Sequence, residues 1–139
     1  MFTRSLLALG FLFAINSFAQ SPPTKLVLGK SLTAEIKGGE KDVYSVELEA
    51  NQTARIEAIQ DGVDVNFEAF NLEGKSFIVG LSPSGFYGED SILVTAKEAG
   101  EYRVEVSTAS PRAKLGKYKI VLKETRPTVA EDFAINEAS

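Results

Sequence analysis

From Lys25 to Lys123 apolar and polar residues alternate with a period of two. Leu32, Ala34 and Ile36 share one parity, then Tyr44, Val46 and Leu48, then Ala54, Ile56 and Ala58, then Val63, Val65, Phe67 and Ala69. The pattern returns in Ile92, Val94 and Ala96, in Tyr102, Val104 and Val106, and in Tyr118, Ile120 and Leu122. Most positions between are Glu, Lys, Arg, Asp, Ser or Thr. Successive strand side chains point to opposite faces, so the pattern predicts antiparallel sheet, apolar inside and polar outside. Turn residues separate the runs: Gly29, Gly38-Gly39, Ala50-Asn51, Asp61-Gly62, Glu73-Gly74, Ser82 to Gly88, Ala99-Gly100 and Ser110 to Gly116. A spacing of about 8–12 residues between turns predicts a sandwich or jelly roll and not alternating βα units. The chain is expected to be all-β, an antiparallel sandwich of about eight strands.

One segment repeats. Gly100-Glu101-Tyr102-Arg103-Val104-Glu105-Val106 matches Gly116-Lys117-Tyr118-Lys119-Ile120-Val121-Leu122, and Asp42 to Leu48 is a looser copy. The offset is too short for a solenoid unit. The copies predict strands that start at a turn and bury a Tyr with two aliphatic residues, which places Tyr102 and Tyr118 in the core. Were the first two copies neighbours, Glu101, Arg103 and Glu105 would pair with Lys117, Lys119 and Lys123 across the sheet.

Residues 1–19 do not follow the alternation. Arg4 precedes the apolar run Leu6 to Ile15, and Ser17 and Ala19 fit the small-residue positions of a signal-peptidase site. A run of that length spans about 15 Å, half of a bilayer core of about 30 Å, so it predicts a cleaved signal peptide and not an anchor. Ser21-Pro22-Pro23-Thr24 continues as an extended leader, residues 20–24, because proline disfavours helix at and before itself.

Composition removes chemistry. The 139-residue chain carries a net charge of −4 and contains no Cys, His or Trp. Disulfides, thiolate nucleophiles, Cys/His zinc sites, a lipidated cysteine and a Ser-His-Asp triad are therefore excluded. An acidic chain without a basic patch does not suit nucleic acid.

The ordered motifs carry a resemblance. Gly39-Glu40-Lys41-Asp42-x-Tyr44-x-Val46-x-Leu48 is followed by Gly62-Val63-Asp64-Val65 and Asn71-Leu72-Glu73-Gly74-Lys75. Gly100-x-Tyr102-x-Val104-x-Val106 and Gly116-x-Tyr118-x-Ile120-x-Leu122 complete the set. Over residues 25–124 this resembles the bacterial pre-peptidase C-terminal (PPC) domain. The resemblance implies a jelly-roll-like β-sandwich, exported and non-catalytic, accessory to larger extracytoplasmic proteins. In many such proteins the domain directly follows the signal peptide and leads into tetratricopeptide repeats, a caspase-like domain or a hydrolase. No acidic motif here matches the calcium sites of some relatives.

Candidate chemical groups are few. Gly80-Leu81-Ser82-Pro83-Ser84-Gly85 lacks the glycine pattern of a nucleophile elbow and reads as a turn. Asp61, Asp64, Glu89 and Asp90 lack the alternating acids of a calcium loop, and calcium takes six to eight oxygens. Asn51-Gln52-Thr53 is a glycosylation sequon by pattern and a hairpin turn by position. Phe86 and Tyr87 are the aromatic pair in a loop; Phe86 is expected to fold back over an open end of the sandwich, with the pair's stacking on sugars or anchoring in a partner as the functional alternative.

Residues 125–139 are expected to form a linker and a short C-terminal helix. Arg126-Pro127 should stop the last strand. Thr128 to Glu131 fits a capping box, and Glu131 and Asp132 suit the positive end of a helix dipole.

The expected function is a periplasmic or secreted binding module for an envelope protein or extracellular polymer, with no cofactor and no catalytic residue. The rival is a leading spacer of a larger exported enzyme or repeat protein. A small hydrolase is a remote third reading. Mass spectrometry of the exported protein is expected to find Gln20 as the first residue. An intact Met1 end would contradict the signal-peptide reading.

Overall fold

The structure, a computed structural model, describes residues 21–80 and 85–137. Residues 1–20, which include the expected signal peptide, residues 81–84 and residues 138–139 lie outside them. Nine strands and a helix follow in order: β1 Thr24–Lys25, β2 Ser31–Ile36, β3 Lys41–Leu48, β4 Gln52–Asp61, β5 Val65–Phe70, β6 Ser76–Gly80, β7 Tyr87–Ala96, β8 Gly100–Thr108, β9 Gly116–Pro127 and α1 Ala130–Glu137. One sheet has the order β1-β3-β8-β5-β6 and the other β2-β9-β4-β7. Among the described residues the strands pair antiparallel except for the short β1–β3 contact, and an isolated parallel bridge joins Leu28 to Leu122. Strands β2 to β9 are shared between the sheets in a jelly-roll arrangement, as the turn spacing and the resemblance predicted.

The alternation finds its physical outlet between the sheets. Val46, Val104, Val106, Phe67 and Ala69 from one sheet meet Ala54, Ile56, Ala58, Val94 and Ile120 from the other, all essentially without solvent exposure. Tyr102 and Tyr118 are buried as expected. The Tyr118 hydroxyl donates to Asp42 Oδ2 at 2.6 Å and lies 2.6 Å from the Tyr44 hydroxyl, joining β9 to β3 across the sandwich. With its single proton committed to Asp42, Tyr118 is the acceptor from Tyr44. Burial, with the bonds to Asp42 and Tyr44, pushes the Tyr118 phenol far above its usual range.

The two repeated segments, β8 and β9, lie in different sheets, so their charged faces do not meet. Lys41 of β3 instead reaches Glu105 of β8 at 3.4 Å, and Lys123 of β9 reaches Glu57 of β4 at 3.5 Å. Their leading glycines have separate packing reasons. A Cβ at Gly116 would sit 2.7 Å from the Gly62 carbonyl oxygen, and one at Gly100 would sit 2.7 Å from the Leu72 side chain.

The C-terminal segment differs from the sequence expectation. Residues 125–127, read as the start of a linker, continue β9, whose ladder with β4 runs on to Gln52 opposite Pro127. A shift of register between Arg55 and Ile56 accompanies this extension. The helix cap also sits one residue later than predicted. The Asp132 carboxylate, not Glu131, reaches back to the Val129 amide at 2.9 Å. Thr128 bonds the Thr53 hydroxyl at 2.8 Å instead of capping. Arg126 clasps Asp132 through two bonds of 2.7 and 2.8 Å, and Asp132 is buried. The first turn of the helix is therefore tied to β4 and β9 through Asp132.

Arg126, with the Val129 amide and Thr53, holds the Asp132 carboxyl well below the usual carboxylate range. A lowered folded pKa adds stability above the unfolded value near 3.9 that is lost as pH falls through the folded one. Asp132→Asn is therefore expected to lower the urea midpoint at pH 7, with a smaller gap from the parent at pH 3. An equal gap at both values, or none at pH 7, would contradict this role.

Candidate functional site

The antiparallel order gathers residues 37–40, 62–64, 85–86 and 109–115 at one end of the sandwich. Phe86 and Tyr87 stand there, 62% and 69% exposed. Tyr87 opens β7 opposite Asp61 of β4, and the Gly62 amide donates to the Phe86 carbonyl at 3.0 Å. The main chain beside both rings is thus pinned to the framework. Phe86, being largely exposed, is not folded down over the open end, whereas Val63 beside it is fully buried. Phe86 instead forms a wall of a recess of about 380 Å³ shared with Val63, Ala109 and Ala113 and edged by Asp64, Arg112 and Lys114.

Three of the four acids singled out from the sequence, Asp61, Asp64 and Asp90, stand in different surroundings, and Glu89 lies opposite Ile59 in the β4–β7 ladder. Asp90 is buried and accepts from the Gln60 side-chain amide at 2.6 Å, while Gln60 accepts from the Val65 amide at 2.7 Å. That chain ties β7, β4 and the start of β5 together. The Asp64 carbonyl accepts from the Ala109 amide at 2.9 Å, and Asp61 lies opposite Lys117 in the β4–β9 ladder. Among the described residues no three acidic side chains converge on one point.

The opposite end holds residues that the sequence did not point to as a site, Tyr102 having been assigned to the core. Phe77, Tyr102 and Phe133 line a recess with Leu72. Phe77 follows the Asn71–Lys75 turn, in which the Asn71 side chain accepts from the Glu73 and Lys75 amides at 3.1 and 2.8 Å. The available signal was an aromatic residue just beyond each of two turns. Phe133 gave none, since its place depends on the docking of α1.

This geometry has known counterparts. The structure is similar to the pre-peptidase C-terminal domain of a collagenase from Bacillus anthracis, with a TM-score of 0.54 and 15% identity, over 78% of this chain and 100% of that one. The fold is PPC-like. A second similar structure is a periplasmic inhibitor of g-type lysozyme from Aeromonas hydrophila, with a TM-score of 0.51 and 13% identity, over 70% of this chain and 91% of that one. No family model and no curated protein matches the sequence. In the PPC-like frame the Asp42 to Leu48, Gly100 and Gly116 motifs are β3, β8 and β9, and Asn71 to Lys75 is the β5–β6 turn. Among the described residues no helix is long and apolar enough to cross a membrane.

Proposed function

We propose that this chain is an exported, non-catalytic β-sandwich module that binds a protein or polymer through the end carrying Phe86 and Tyr87. The observation that carries the reading is the joint exposure of these two rings on a main chain pinned to β4. Large aromatic residues held rigidly at a surface supply much of the energy of recognition and lose little entropy on binding. The recess beside Phe86, with apolar walls and Arg112 and Lys114 at its edge, adds a concave surface of mixed character. The similarity to a lysozyme inhibitor makes g-type lysozyme the first enzyme to assay. The sandwich through the end of β9 at Pro127 forms the binding module in this proposal, and residues 1–19 direct its export.

The test compares the chain beginning at Gln20 with a Phe86→Ala/Tyr87→Ala variant. Both rings are exposed, so the double substitution should change unfolding free energy by less than about 1 kcal/mol. The parent should recover one protein or polymer reproducibly from envelope or culture fluid, or inhibit g-type lysozyme, and the variant should lose that property. Equal behaviour of the two proteins would contradict the assignment. No recovered partner and no inhibition would favour the spacer reading.

A further inference from the structure

The recess at the opposite end has a chemistry of its own. It lies between the β5–β6 turn, the β7–β8 turn and α1, and encloses about 310 Å³. Ligand sites begin near that size, at about 300 Å³. Its walls are Leu72, Phe77, Tyr102 and Phe133. Phe77 and Tyr102 meet edge to face, with centroids 6.4 Å apart and planes at 69°.

Most of its polar atoms are already engaged. The Tyr102 hydroxyl donates to the Glu98 carbonyl at 2.6 Å, the Asn71 side-chain oxygen holds its own turn, and the Thr95 hydroxyl lies 3.2 Å from that of Thr53. Glu73 and Glu98, both exposed, form no ion pair among the described residues and present acceptors only. Both carboxylates act on the same ring: the Tyr102 phenol is raised above its ordinary value chiefly by burial, and further by the charges of Glu98 and Glu73. Lys97, the cation of the lining, rests 5.9 Å from the centre of the Phe133 ring, so an aromatic face here already attracts positive charge. Lys97 is exposed and its stem is flexible, which lets it yield the place.

We propose that this recess binds a small organic cation, an alkylammonium whose apolar body lies on Phe77, Tyr102 and Phe133 and whose charge faces Glu73 and Glu98. Rings facing a cation attract it through their quadrupole, and the carboxylates add the Coulomb attraction that a neutral ligand lacks. The site is separate from Phe86 and Tyr87, so it does not rest on the function proposed above.

The test is an NMR titration of the chain beginning at Gln20 with n-pentylammonium and, separately, with 1-pentanol. Pentylammonium should shift the Phe77, Tyr102 and Phe133 ring signals saturably and more tightly than pentanol. Glu73→Gln/Glu98→Gln changes two exposed side chains and should weaken it by about fivefold or more. Phe133→Ala should weaken both ligands while the remaining spectrum keeps its dispersion. Equal affinity for pentanol, indifference to the double variant, or no saturable shift would overturn the proposal.

Discussion

A hydroxyl of one sheet bonded to a hydroxyl of the other is the point about which this sandwich is arranged. The chain has no cysteine, so its sheets are held by apolar burial and by the chain from Tyr44 through Tyr118 to Asp42. Apolar contact is non-directional, whereas two bonds of 2.6 Å also fix how β3 and β9 face one another. An unpaired hydroxyl in such a core costs about 1–3 kcal/mol, so arrangements that break the chain are disfavoured. Surface ion pairs such as Lys41–Glu105 add about 0.2–1 kcal/mol each and choose nothing by themselves.

With the middle fixed, chemistry falls to the two ends, where antiparallel order brings connections together. One end projects Phe86 and Tyr87 outward from a pinned main chain. The other folds Phe77, Tyr102 and Phe133 inward around a recess. An outward pair suits a large partner with its own pocket, and an inward cluster suits a small ligand. On the two proposals above, a PPC-like framework would offer two recognition surfaces without using its sheet faces.

Much of this was legible in the sequence because a strand buried on one face writes its orientation into every second residue. The parity of Tyr44, Tyr102 and Tyr118 placed all three inside. Parity says nothing about which strand lies beside which, so the meeting of the charged faces of β8 and β9 stayed conditional in the sequence, and different sheets carry them. Pro127 was read as a breaker because proline cannot donate to a ladder, yet the strand's last residue makes small demands on that donor. The helix cap was displaced for a similar reason. Thr128 and Glu131 satisfy the local pattern, but Arg126 at the end of β9 and Thr53 on β4 recruit Asp132. Phe86 and Tyr87 were visible as aromatics among glycines, whereas the second recess needs three elements to come together.

The most direct measurement is urea unfolding of Tyr118→Phe, which keeps the ring and removes the hydroxyl between the sheets. Tyr44 then loses its acceptor and Asp42 its donor, so a loss of about 1–3 kcal/mol is expected. A loss below about 0.5 kcal/mol would mean that apolar burial alone aligns the two sheets, and that the Tyr44–Tyr118–Asp42 chain is not what fixes them.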